Sequence, residues 1–359
     1  MTILHIDFET FSACELKEAG LDNYARHPTT GMHCMAYAFD AEEVLLWRPG
    51  SCDIERIRDH LAEDGLVYAH NAAFELAIWN NVCVPKYGWP ELKPEQMRCT
   101  MAMAYAMSLP GSLEKASAAV GIEQRKDMAG SRVMMQLEKP KADGTFWRTE
   151  DSPEKFKQLY AYCRQDVEVE RALHQRMMEL SDYEQKIWQI DYRINQRGVQ
   201  VDLAAVNAAI KLVESEKARL NAEMLKATGG VVGSCTEVQL LVKWIRSQGF
   251  ELNGVAKSDV IDALAGDLPD SVRRALALRK EAAKSSTAKL IAMRERASVD
   301  GRVRGTKQYH GAGTGRWAGR GIQADNYPRG FMTPSEVADA IGAMTRYPTH
   351  EAAQYLSMM

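Results

Sequence analysis

The sequence predicts an α/β domain followed by a mainly α-helical region, and three observations lead there. Up to about residue 180, short β-rich apolar runs alternate with amphipathic helical stretches. From residue 182 to about 297 the periodicity is almost wholly helical. The last sixty residues are rich in Gly and Arg and contain turn signals such as Asp300-Gly301. Domain bounds read this way fall at 1–180, 181–298 and 299–359.

Each element has a local reason. Residues 3–9 alternate as a strand does, and residues 34–39 and 44–47 read as two more strands joined by a turn at 40–43, an antiparallel meander. Residues 55–63 form a short amphipathic helix. Leu66–Ala69 reads as a buried strand that runs into His70-Asn71, with a helix to about residue 80. Residues 100–107 and 112–120 are helical, the second capped by Ser112. Residues 138–153 hold Lys-Pro, Asp-Gly and Ser-Pro and read as a polar loop. A long helix then runs from near Pro153 to about residue 180. The order of three strands, helix, strand and helices specifies a mixed sheet. Beyond it, residues 182–228 are helical with a break at Arg197-Gly198 and an extended stretch at 199–202. Further helices are expected at 237–247, 257–265 and 271–297.

Composition narrows the class. The 359 residues suffice for two or three domains, with 46% apolar and 26% charged residues, as in ordinary globular proteins. A net charge of −3 excludes a polybasic coat for nucleic acid. Residues 279–329 nevertheless hold twelve Lys/Arg against four acids, a local basic stretch of the kind that faces phosphates. The seven cysteines are odd in number and lack a C-x-x-C, which points to free thiols in a reducing cytoplasm. No signal peptide and no run of about 18 apolar residues is evident.

Three polar clusters stand out. Asp7 and Glu9 are two apart on the first strand and therefore share a face, where like charges repel and a hard cation such as Mg²⁺ or Mn²⁺ would relieve them. Asn71 and Glu75 follow a strand-to-helix junction and are spaced for one helix face. Tyr162 and Asp166 have the same spacing on the long helix. Taken singly, each also fits a solvated strand end, an N-cap or a surface helical pair.

Together the clusters resemble the proofreading 3′→5′ exonuclease of family A DNA polymerases, in the tyrosine-bearing branch of the DEDD superfamily. The motifs match as Asp7-x-Glu9-Thr10, Asn71-x-x-x-Glu75 and Tyr162-x-x-x-Asp166. The departure is Glu75, where most of the family has Asp, one methylene shorter. The resemblance implies a ribonuclease H-like domain and two divalent cations, Mg²⁺ or Mn²⁺. Asp7 would bridge them, Glu9 and Asp166 would complete the first site, and Glu75 would serve the second. Tyr162 would orient the attacking water. The substrate would be a single-stranded DNA 3′ end, contacted by Thr10, Asn71 and Phe74. Phe8 and Phe11 offer further apolar surface, with Phe8 read as core.

The later part of the chain extends the resemblance. Thr314-Gly315-Arg316, Gln323 and Asn326-Tyr327-Pro328 resemble the start of a family A palm, with two extra residues between Gln323 and Asn326. Residues 279–286 (RKEAAKSS) resemble the helix tip that leads out of the thumb, and 197–202 the opening of the polymerase region. Primer-template contacts are thereby implied for Arg279, Lys280, Lys284, Thr314, Arg316 and Gln323. The 43 residues after Arg316 contain no Asp-Tyr-Ser or His-Asp-Glu context, so the expectation is a helical thumb-like region with a partial palm and without the polymerase active site. A split polymerase, a truncated product or a deliberate fragment would each account for this, the first with a separate polypeptide as partner. Host cytoplasm is the setting implied for a phage-like replication protein. A 3′-end ribonuclease of the same superfamily and a catalytically idle DNA-binding subunit remain as alternative readings.

Overall fold

The computed structural model describes residues 2–51, 54–122, 128–252, 254–283, 287–327, 330 and 332–359. Its contacts divide the chain into two compact units, Met1–Gln200 with Glu295–Asn326, and Val201–Arg294 with Tyr327–Met359. This division assigns residues 181–200 and 295–326 to the first unit, whereas the sequence reading ends the first domain at 180. Two contacts account for it. Trp188, 5% exposed, joins the first core, and the strand Val199–Gln200 pairs antiparallel with Arg302–Val303.

The first unit is built on a five-stranded mixed sheet: β1 (Ile3–Phe11), β2 (Gly31–Phe39), β3 (Leu45–Trp47), β4 (Leu66–Ala69) and β5 (Met97–Cys99), in the order β3-β2-β1-β4-β5. β1 runs antiparallel to β2 and β2 to β3, while β1–β4 and β4–β5 are parallel. This is the mixed α/β sheet expected from the sequence. β5, only three residues long, has no sequence signal of its own and is absent from the expected elements.

β1 is paired on both sides, and its two faces do different work. Leu4, Ile6 and Phe8 enter the main apolar core with Leu76, Trp79 and Trp89. His5, Asp7 and Glu9 alternate with them and face the other way. The helices of this unit include α1 (Ala72–Ile78), α2 (Met128–Leu137), α3 (Pro153–His174) and α4 (Asp182–Arg197), of which the first three contribute residues to the site. α3 covers the second face of the sheet, where Cys163 and Val167 pack against Cys34, Ala36 and Ala38 of β2. It ends at His174 rather than near 180. The chain turns there so that Glu179 meets both His174 (2.6 Å) and the Tyr68 hydroxyl (2.9 Å).

The second unit is almost wholly helical, as the periodicity predicts. Its core gathers Leu220 and Met224 of α5 (Leu203–Ala227), Leu241, Trp244 and Ile245 of Val238–Ser247, and Val272 and Leu276 of α6 (Asp270–Ala282). The single helix expected over 271–297 is instead two, Asp270–Ala282 and Ala288–Arg296, with 284–286 outside the described residues. Two helices near the end, α7 (Pro334–Arg346) and α8 (Thr349–Met358), pack on α5 and are absent from the expected elements. The first opens with a reciprocal cap between Thr333 and Glu336. Among the described residues the six cysteines are free thiols, and no helix is long and apolar enough to cross a membrane.

The junction at Gly198 limits what the backbone tolerates. Its φ of +62° and ψ of −173° lie in a region open only to glycine. A Cβ there would also sit 2.6 Å from the Val303 carbonyl oxygen. Gly198→Ala should destabilise the chain by about 2–4 kcal/mol in denaturant unfolding. Ala at Gly229, where φ is +63° and nothing stands within 4 Å of an added methyl, should cost less. Equal losses in the two variants would contradict a special constraint at Gly198.

Candidate active site

Three separate stretches of chain bring the acidic residues together. β1 presents Asp7 and Glu9, and directly after Glu9 its pairing with β2 shifts register before continuing through Thr10 and Phe11. At the end of β4 the chain enters α1 through Asn71, whose left-handed backbone (φ 68°, ψ 45°) makes the sharp turn. Glu75 follows in the first turn of α1 and is only 4% exposed. α3 supplies Tyr162 and Asp166 one helical turn apart. Asp7, Glu9, Glu75, Tyr162 and Asp166 all line one cleft of about 500 Å³.

The cleft is strongly acidic. Asp7, Glu9, Glu15, Glu75, Glu138 and Asp166 line it against two lysines, Lys17 and Lys139. Lys139 is engaged by Glu15 at 2.7 Å. Burial first, and then the charge of Asp7, push the Glu75 carboxyl well above the usual carboxylate range. Its Oε2 is buried and has no hydrogen-bond partner. Burial, and then the charges of Asp166 and Glu9, push the Tyr162 phenol up, so it stays protonated and donates a hydrogen bond to Asp166. The donors are hard oxygens with one buried carboxylate oxygen unmet, a set that suits Mg²⁺ or Mn²⁺.

The remaining expected residues are distributed differently. Phe74 is half-buried on the cleft, its ring 6.2 Å from that of Tyr24. Thr10 also lines the cleft, but its hydroxyl is hydrogen-bonded to that of Tyr24 at 2.8 Å. Phe8 is core, with 6% exposure. Phe11 packs between the rings of His33 and Phe146, at 4.6 and 4.8 Å, in a neighbouring groove. Asn71 precedes α1 in a left-handed conformation and so does not share the face of Glu75. It lines a separate cavity of about 170 Å³ with Tyr105, Asp191 and Arg304.

Thr314 and Arg316 are exposed at the tip of a hairpin formed by Lys307–Gln308 and Ala318–Gly319 in the first unit, and Gln323 is exposed just beyond it with φ +48°. In the second unit Lys280 is exposed. Arg279 reaches the Cys235 carbonyl at 3.4 Å and keeps its Nε buried without a partner. Lys284 lies outside the described residues. The basic stretch is less available to phosphate than its count suggests. Arg304 is held by Asp300 at 2.6 Å, Arg302 by the Arg197 carbonyl at 2.6 Å, and Lys307 by Asp325 at 2.5 Å.

Sequence reasoning misses several residues. His5 Nδ1 and Glu170 Oε2 lie 2.5 Å apart, both about 3% exposed, directly behind the cleft. His5 is two before Asp7 and Glu170 four after Asp166, so the same periodicities point to the pair. Cys163 reads from the sequence only as a free thiol, yet its Sγ donates to Asp7 Oδ2 at 3.5 Å.

No protein-family model matches the sequence. The fold resembles that of a solved polymerase domain: the POL domain of Pol1 from M. smegmatis, in complex with DNA primer-template and dNTP, matches with a TM-score of 0.54 over 96% of this chain and 54% of that one, at 11% identity. The chain is homologous to a particular phage protein, the DNA polymerase of Bacillus phage SP02, with 36% identity over 350 residues. That match covers 94% of this chain and 53% of the relative, so the chain spans about half of the relative's length.

The elevated Glu75 carboxyl has a signed consequence for stability. With chelator present, the folded chain retains a proton at Glu75 above pH 4.5 that the unfolded chain releases, so stability falls as pH rises beyond that point. Glu75→Gln removes this loss. The variant should be the more stable of the two in chelator, with the gap widening between pH 5 and pH 7 in denaturant titrations. Parallel curves would contradict it.

Proposed function

We propose that the chain is a metal-dependent 3′→5′ exonuclease acting on DNA 3′ ends, the proofreading part of a phage-type family A DNA polymerase. The observation that carries this reading is the meeting of Asp7, Glu9, Glu75, Tyr162 and Asp166 in one acidic cleft, although they come from a strand, a junction helix and a distant helix. The homology to a phage DNA polymerase supports DNA as the substrate.

Asp7, Glu9 and Asp166 would hold one divalent ion, and Asp7 with Glu75 a second. Bound there, the ions supply electrostatic stabilisation of the attacking and leaving oxygens of an in-line displacement. The chain's own groups do the rest. Tyr162, kept protonated, orients the attacking water through its hydroxyl and does not act as the base. The half-buried ring of Phe74 offers the terminal base a stacking surface at the cleft wall. Thr10 braces that wall through Tyr24. In this reading Lys280, Thr314, Arg316 and Gln323 contact primer-template DNA.

A 5′-labelled single strand incubated with the chain and Mg²⁺ or Mn²⁺ should give a ladder of 3′-shortened products on a gel. Asp7→Ala and Asp166→Ala should each reduce the rate by about 10³-fold or more. Tyr162→Phe should reduce it by about 10- to 100-fold. Arg316→Ala should leave single-strand hydrolysis nearly unchanged while weakening primer-template binding by up to about tenfold. No ladder in either metal would favour an idle DNA-binding subunit, and preference for RNA a 3′-end ribonuclease.

A further inference from the structure

We propose that the groove beside the acidic cleft binds an internal stretch of single-stranded DNA, at a site separate from the one that receives a 3′ end. The inference rests on the proposed function for the nature of the strand and not for any hydrolysis. A strand is a polyanion, and a cleft lined by six acids against two lysines repels it. Affinity for the strand away from its end has to come from outside the cleft. The basic stretch late in the chain offers little, since Arg302, Arg304 and Lys307 are held within their own unit. The groove adjoins the cleft in the first unit: Thr10 and Ser12 line the cleft, and Phe11 between them lines the groove. It has a volume of about 1130 Å³ and continues, through Arg48 and Tyr160, into a second hollow of about 690 Å³.

Charge and rings together define the occupant. Arg48, Lys141, Arg148, Lys157 and Arg164 line the two hollows against Glu150, Asp151 and Glu168. Lys141 is held by Asp151 at 2.7 Å, but the exposed Arg48, Lys157 and Arg164 have no ion-pair partner among the described residues. Three half-buried rings stand among these cations: Phe146, Trp147 and Tyr160. An adjacent Phe-Trp pair has no local reason in a loop that is otherwise polar. The loop is pinned, since Asp151 accepts from the Arg148 backbone N–H at 2.8 Å and the Lys141 N–H donates to the Thr145 carbonyl at 2.7 Å. The Lys155 and Lys141 ammonium groups lie 4.8 and 5.3 Å from the centre of the Trp147 ring, and the Arg48 guanidinium 5.4 Å from that of Tyr160. A cation on an exposed ring is held more weakly than a nucleic-acid base stacks there. A base therefore displaces the cation, which is freed to meet the adjoining phosphate. A duplex hides its base faces, and an acidic peptide makes no use of the rings, so the unpaired strand is the occupant that uses both.

The test uses the full chain in chelator and a circular oligodeoxythymidylate, which has no 3′ end to enter the cleft. The wild-type chain should bind the circle, with affinity falling as salt rises. The double variant Arg48→Ala/Lys157→Ala, which alters two exposed side chains, should bind at least fivefold more weakly and show a log–log salt slope shallower by about 1.4. Trp147→Ala should weaken binding about tenfold, and Trp147→Phe, which keeps a stacking face, should recover most of it. A circle left unbound by the wild-type chain, or bound equally by the double variant, would overturn the proposal. So would Trp147→Ala binding as the wild type does, which would leave the groove a plain anion surface suited to an acidic partner. Mg²⁺-dependent hydrolysis of a linear strand by the wild-type chain, measured in parallel, separates the two readings. Hydrolysis without binding of the circle sinks only the groove, and binding of the circle without hydrolysis sinks only the exonuclease.

Discussion

The packing of α3 along one face of β1 is the interaction on which the rest of the first unit depends. The strand presents every second residue to that face, His5, Asp7 and Glu9, and the helix presents Tyr162, Asp166 and Glu170 at intervals of four. The two series interleave. At the dry end His5 meets Glu170, both about 3% exposed. Removing one member of a buried polar pair strands the other, at a cost of about 3–5 kcal/mol when a charge is left behind. At the wet end the same alignment forces Asp7, Glu9 and Asp166 into one cleft. The dry contact holds the helix in register, and the register sets the distances among the carboxylates.

Such an arrangement opposes folding locally. Glu75 is buried against Asp7 without a partner for Oε2, and its carboxyl is driven toward the neutral form. A buried, unmet carboxylate in a cleft lined by six acids is unfavourable unless something positive is bound there. The strain is concentrated where the proposed chemistry lies, and the surrounding sheet is apolar on its opposite face and paired on both sides of β1.

Much of the first unit is legible in the sequence because its signals are local and periodic. The alternation through residues 3–9, the run Leu66–Ala69 ending at His70-Asn71, and the amphipathic span after Pro153 each specify an element without help from the rest of the chain. The carboxylate set is legible for a related reason, since spacings of two and four on known elements define faces. What escapes is set by tertiary context. β5 is three residues that become a strand only because β4 offers an edge. Asn71 has the spacing of a face-mate of Glu75, but its left-handed backbone takes it off the helix. The basic stretch has the composition of one phosphate-facing surface, but Arg302, Arg304 and Lys307 are spent on carbonyls and carboxylates of their own unit. The helix from Pro334 is the exception, because Thr333 and Glu336, three apart, carry a local capping signal.

The central claim is that four acidic side chains from three distant stretches hold paired divalent ions. Crystals of the chain soaked in Mn²⁺ and measured for anomalous scattering test it most directly. The expected result is two peaks within about 4 Å of each other, enclosed by Asp7, Glu9, Glu75 and Asp166. Manganese bound elsewhere on the chain with this cleft empty would contradict it.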